Sequence, residues 1–129
     1  MPRTRVHTGA PWETRVGYCR ALRTGTQIFV TGTVAIDPDG STHAPGDGHA
    51  QAKRCLEIID AALRQLGAEL RHVVRTRMFV TDIDRWEDFG RAHAERFADH
   101  PPATTMVEVS RLIRGDLLIE IEADAVVDD

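Results

Sequence analysis

Glu120, Glu122 and Asp124 occupy alternate positions near the end of the chain, so an extended backbone puts three carboxylates on one face. A carboxylate drawn partly out of water has a raised pKa and can orient or activate a water molecule. Left in water, the same row is an ordinary solvated strand face, and the residues alone leave both readings open. Tyr18, the only tyrosine, offers a hydroxyl to bind a ligand or cap a sheet edge. Arg20 follows two positions later and shares its face if the segment is extended. It can contact an anion, or pair at the surface with Glu120 or Glu122. Arg75 and Arg77 share a face from which they can pair with the carboxylate row. Arg114, in the loop before the last strand, can reach a pocket rim.

Other constellations are poorer in chemistry. His43, Asp47 and His49 lie in one loop, but no second cluster completes a metal site, and no metal is expected. His93 falls on the apolar face of a helix and reads as a packed histidine rather than a base. Cys19 and Cys55 form no CxxC pair, and Cys19, pointing away from Tyr18 by alternation, reads as core packing. No Ser-His-Asp order, phosphate-cradling glycine loop or dinucleotide fingerprint is present.

Composition narrows the class of molecule. The 129 residues fit one domain, covering 1–129, with 42% hydrophobic and 28% charged residues, as in ordinary globular proteins. Only 5% are aromatic and the formal net charge is -4, with fifteen arginines and Lys53 scattered along the chain. That provides neither a basic groove nor a stacking platform, and argues against nucleic acid as a partner. No apolar run approaches a membrane span. The expectation is a soluble, cytoplasmic domain with no membrane partner.

Periodicity supplies the elements that must hold these residues. Tyr18 to Thr24 and Gln27 to Ala35, joined at Gly25-Thr26, read as a hairpin. Ala52, Cys55, Leu56, Ile59, Ala62, Leu63 and Leu66 fall on one face of a helix that begins after Asp47 and is stopped by Gly67. Val73 to Thr81 is a third strand. Asp82 or Asp84 caps a second helix carrying Trp86, Phe89, His93 and Phe97 on one face, ended by Pro101-Pro102. Ala103 to Ser110 and Leu117 to Val127 are the last strands. The order is ββαβαββ, an α+β domain of one mixed sheet with two helices on one face; residues 1–16 stand as an N-terminal extension. If Ala103, Thr105, Val107 and Val109 face the helices, then Thr104, Met106, Glu108 and Ser110 join the carboxylate row. A sheet face half polar and half apolar suits either an oligomer interface holding a pocket or plain solvation.

Five segments carry a resemblance. They are Gly17-Tyr18-Cys19-Arg20-Ala21, Phe29-Val30-Thr31-Gly32-Thr33, Val73-Val74-Arg75-Thr76 with Phe79-Val80-Thr81-Asp82, Pro102-Ala103-Thr104-Thr105-Met106-Val107-Glu108-Val109, and Ile119-Glu120-Ile121-Glu122-Ala123. In this order, from Tyr18 to Val126, the chain resembles the reactive-intermediate deaminases of the RidA/YjgF type, formerly called endoribonuclease L-PSP. The resemblance implies a chorismate-mutase-like fold assembled as a homotrimer, with small-molecule pockets between subunits. It also implies hydrolysis of enamines and imines to 2-keto acids and ammonia, without metal or organic cofactor. It makes Glu120 the catalytic residue that positions water and places Tyr18 in the substrate site, with Thr104, Met106 and Arg20 as further substrate-binding candidates.

At Thr104 the family has an arginine that grips the substrate carboxylate. A neutral hydroxyl cannot reproduce that charged planar fork, and losing such a contact costs about 2–5 kcal/mol. The resemblance is thus to a subgroup lacking the carboxylate-binding arginine, and Arg20, Arg75, Arg77 and Arg114 are the candidates to replace it. Two functions stay open. One is a cofactor-independent deaminase-type hydrolase of altered substrate range; the other is a ligand-binding or protective trimer that has lost the chemistry.

Overall fold

The computed structural model describes residues 2–128. Its elements are β1 (Arg3–Val6), α1 (Pro11–Val16), β2 (Ala21–Thr24), β3 (Gln27–Val34), α2 (Gly48–Gln65), β4 (Val73–Val80), α3 (Trp86–Phe97), β5 (Ala103–Glu108) and β6 (Ile119–Val126). The strands form one sheet in the order β1-β2-β3-β6-β4-β5. Only the β4–β5 pair is parallel, which makes the sheet mixed.

The ββαβαββ reading accounts for β2 to β6 and for α2 and α3. It misses β1, which pairs antiparallel with β2, and a third helix, α1. The latter is only six residues long, too short for hydrophobic periodicity to declare it. Its ends do carry the usual punctuation. Pro11 sits in the first turn, where a missing N–H costs nothing, and Gly17 closes the helix at a left-handed φ of 89°.

The core lies between the sheet and α2 with α3. Every apolar residue expected on the α2 face, from Ala52 to Leu66, is buried. Asp47 caps the helix, accepting from the Ala50 N–H at 3.0 Å. On α3, Phe89 and Phe97 are buried as expected, but Trp86 is 56% exposed because the helix begins only there, after a 3-10 turn capped by Asp82. Ile119, Ile121, Ala123 and Ala125 of β6 face the helices, which turns Glu120, Glu122 and Asp124 to the open face.

The expected facing of β5 is reversed. Because β5 runs parallel beside β4, Thr104 lies next to Thr76 and Met106 next to Met78, both buried beneath the helices. Lateral neighbours in a sheet share a face. Thr104, Met106 and Glu108 therefore point to the helix side, and Ala103, Thr105 and Val107 share the open face with the carboxylates.

Candidate functional site

A cavity of about 600 Å³ opens where the N-terminal segment, the β3 bulge and the loops around Pro38 and Arg114 meet. Tyr18, Arg20 and Glu120 all line it, so three residues far apart in sequence come together. The segment holding Tyr18 and Arg20 is not a strand as expected, since β2 starts only at Ala21. It is pinned instead by backbone bonds: Arg20 N–H donates to the Val6 carbonyl at 2.7 Å, and Thr31 N–H to the Arg20 carbonyl at 3.0 Å. The Thr31 hydroxyl adds a bond to the Cys19 carbonyl at 2.7 Å. Cys19 is half-exposed rather than packed in the core; the buried cysteine is Cys55.

Glu120 owes its position to Gly32. The β3–β6 register shifts between Val30 and Thr33, and Glu120, registered with Val34 just past this bulge, lays its carboxylate against Gly32. A side chain at position 32 would overlap the Glu120 carboxylate and push it aside, so glycine in the Phe29–Thr33 segment leaves the carboxylate its room. Burial pushes the Glu120 carboxyl above the ordinary carboxylate value. The positive charge of Arg20 opposes this, and Glu122 adds to it.

Arg20 is 8% exposed, and its guanidinium carbon stands 5.6 Å from the centre of the Tyr18 ring. One of its terminal nitrogens donates to the Thr33 hydroxyl at 3.3 Å, while its buried Nε has no partner among the described residues. It does not form the surface pair with Glu122, which Arg77 takes at 3.2 Å along with Asp124 at 3.4 Å. Arg114 reaches the cavity, as its loop position suggested. Its guanidinium lies 5.1 Å from the Trp12 ring centre and donates to the Gly40 carbonyl at 2.8 Å. Arg54, a further lining cation, donates to the Ile36 carbonyl at 3.0 Å and faces Asp37 at 3.8 Å.

The sequence reading overlooked the wall made by residues 8–16. Thr8, Gly9, Ala10, Pro11, Trp12 and Val16 all line the cavity. Glu13, 4% exposed, ties this wall down by accepting from the backbone N–H and hydroxyl of Thr8. Burial alone would raise its carboxyl, but those hydrogen bonds and the charge of Arg20 hold it below the ordinary value.

Thr104 and Met106 stand outside this cavity. The Thr104 hydroxyl is 2.8 Å from that of Thr76, which is 2.8 Å from His93 Nε2. Met106 packs against the core. His93 is a packed histidine: burial pushes its imidazole down to about 4, and its ring centre lies 4.5 Å from that of Phe97. The loop histidines are separately engaged, His43 with Asp37 at 2.8 Å and His49 with Glu95 at 2.7 Å.

A six-stranded mixed sheet with a carboxylate-bearing pocket at its bulged strand defines a class of small α+β pocket proteins. The chain belongs within that class to the RidA/YjgF-like family: the sequence profile of Endoribonuclease L-PSP matches residues 8–127. A RutC family protein of Pyrococcus abyssi is 39% identical over 108 residues, 84% of either chain. Rv2704 of Mycobacterium tuberculosis, a member of the YjgF/YER057c/UK114 family, superposes with a TM-score of 0.87 at 48% identity over 98% of this chain and 100% of its own. The structure of Escherichia coli TdcF with bound serine matches with a TM-score of 0.78 at 27% identity, covering 86% and 88% of the two chains. Among the described residues, no helix is long and apolar enough to cross a membrane.

Proposed function

We propose that the cavity is the active site of a cofactor-independent hydrolase that converts small imines and enamines to carbonyl compounds and ammonia. The observation carrying this reading is Glu120, a carboxylate held partly out of water beside Tyr18 and Arg20, with its pKa raised by burial. A carboxyl whose pKa is raised holds a proton more readily than an ordinary one, and can act first as base and then as acid. In the first step, water attacks the iminium carbon while Glu120 takes a proton from that water. In the second, Glu120 returns the proton to nitrogen; the C–N bond breaks and ammonia leaves while the ionised Glu120 takes the hydroxyl proton, so that the carbonyl forms, and that proton then passes to the departing ammonia as ammonium. An enamine enters the same route after protonation at carbon. The serine bound to TdcF supports a ligand of amino-acid size.

The active assembly is proposed to be a homotrimer joined through the open sheet face. With Thr104 in place of the family's arginine and turned toward Thr76, the substrate range differs from that of relatives that carry the arginine. That same position favours the second reading, a trimer that binds ligands without turning them over. Timing keto-acid release from 2-imino acids generated in situ by an amino-acid oxidase separates the two. The expected result is acceleration by the wild type and a loss of about 10²–10⁴ in Glu120→Gln. Equal rates for the two proteins would sink the catalytic reading.

A further inference from the structure

We infer that Gln51, which lies outside the cavity, is the positioning residue for the segment that carries Arg114 and Glu120 into it. The assignment rests on the reading of Glu120 as the catalytic carboxylate and names what aims that group. Gln51 sits on the buried face of α2 beside Ala52, Cys55 and Leu56 and is 0% exposed. Burying an amide costs free energy unless its donors and acceptor are matched, and an apolar side chain in the same place carries no such cost. The Gln51 amide is matched completely, and every partner is backbone outside the helices and strands. Its nitrogen donates to the Asp116 carbonyl at 3.0 Å and, more weakly, to the Ala44 carbonyl at 3.5 Å. Its oxygen accepts from the Leu118 N–H at 2.8 Å.

What the amide grips decides what it does. Asp116 stands two residues after Arg114, and Leu118 two residues before Glu120, so one side chain clasps the chain midway between two cavity residues. Gln51, Asp116 and Leu118 themselves do not line the cavity. Glu120 needs such a hold because it occupies the last rung of the β3–β6 pairing, opposite Val34, and the end of a ladder opens first. Arg114 needs it because its turn closes, among the described residues, with one backbone bond, from the Leu117 N–H to the Arg114 carbonyl at 3.2 Å. The contact with Ala44 brings the opposite loop to the same anchor. Ala44 holds a φ of 44°, which residues with a side chain rarely adopt, and it follows the hairpin whose Asp37–Gly40 tip lines the cavity. The two loops are already laced together: Arg114 donates to the Gly40 carbonyl at 2.8 Å, and the Thr42 hydroxyl to the Asp116 carboxylate at 2.9 Å. Both loops and the start of β6 thus meet on one buried amide.

Two variants separate positioning from plain support of the fold. Gln51→Met keeps the side chain's length and removes its polar atoms. Gln51→Glu is the conservative change, since a carboxyl kept protonated by burial offers one donor to Asp116 and one acceptor to Leu118. All proteins are compared at about pH 6 in a Trp86→Phe background, which leaves Trp12 as the sole tryptophan. Trp12 reports on the loop because its ring centre lies 5.1 Å from the Arg114 guanidinium. In the protein with Gln51 intact, the Leu118 amide should exchange slowly, as a donor to a buried acceptor does; exchange at the rate of an open loop overturns the proposal without any variant, and decides it alone should Gln51→Met not fold. Gln51→Met should shift the Trp12 emission and lower kcat on 2-imino acids about ten- to a hundredfold, and Gln51→Glu should restore most of both. A Gln51→Met protein that melts at a lower temperature but keeps its kcat and its Trp12 emission would reduce Gln51 to a structural residue. A Gln51→Glu protein no better than Gln51→Met would overturn the proposal as well. Absence of turnover with Gln51 intact rejects the hydrolase alone, and Leu118 exchange and Trp12 emission then still decide whether Gln51 holds the segment.

Discussion

At Glu120, one carboxylate is subject to three influences, and their signs fix a pH profile. Burial raises its pKa, Arg20 lowers it and Glu122 raises it again. A base acts only when ionised, so the acid limb of kcat/KM should lie above the ordinary carboxylate range. Arg20→Gln removes the lowering charge and should move that limb to higher pH. Glu122→Gln removes a raising charge and should move it lower. Profiles of both variants check the assignment, and a limb that stays put in each would mean that Glu120 is not the titrating group. Glu120 was legible in the sequence because its row alternates and sits in a recognisable motif, as were Tyr18 and Arg20, which flank Cys19. Thr104 and Met106 were misplaced for a physical reason. The run from Ala103 to Ser110 mixes small, hydroxyl and apolar side chains on both alternating sets, so only the parallel register with Thr76 and Met78 decides which set turns inward.

Among the elements, the N-terminal wall contributes most to the cavity and was the least visible. Strand β1 is exposed at three of its four positions and α1 has six residues, so neither shows a periodic apolar pattern. What holds them is polar. Glu13 accepts from Thr8 and lies near Arg20, and its pKa is held below the usual 4.5. A depressed carboxylate contributes its stabilisation in full above the ordinary value and loses it as pH falls through the lowered one. Acidification should therefore loosen residues 8–16 before the core opens. Hydrogen exchange at the Thr8 amide and the emission of Trp12 are the measurements. Glu13→Ala leaves the Thr8 donors unsatisfied, at about 1–3 kcal/mol, and should show the loosened wall at neutral pH. An unchanged Thr8 exchange rate in that variant would rule out the tether. Helix α2, by contrast, was read almost residue for residue, since eighteen residues give periodicity enough turns to speak.

For the whole molecule, the open sheet face decides whether one chain is sufficient. Phe29 is 43%, Val107 42% and Val126 40% exposed there, and Arg77 pairs with Glu122 and Asp124 in their midst. Apolar residues beside a row of acids met by a basic partner make a surface able to lose water without stranding charge. The chain's mass of 14.3 kDa gives the test a clear scale. Sedimentation equilibrium should find a particle of three chains, and Val107→Asp, which sets a charge in the apolar part, should dissociate it with its far-UV circular dichroism unchanged. A wild type that sediments as a single chain at every concentration would remove the trimer. The same variant also probes the cavity. Its mouth carries the exposed Val16 and Ile113, apolar groups a neighbouring copy would cover. If a second copy completes the site, Val107→Asp should slow keto-acid release from 2-imino acids in step with dissociation, although Val107 is not among the cavity residues. Activity that persists undiminished in the dissociated chain would mean that a single copy builds the whole site from its own Tyr18, Arg20 and Glu120.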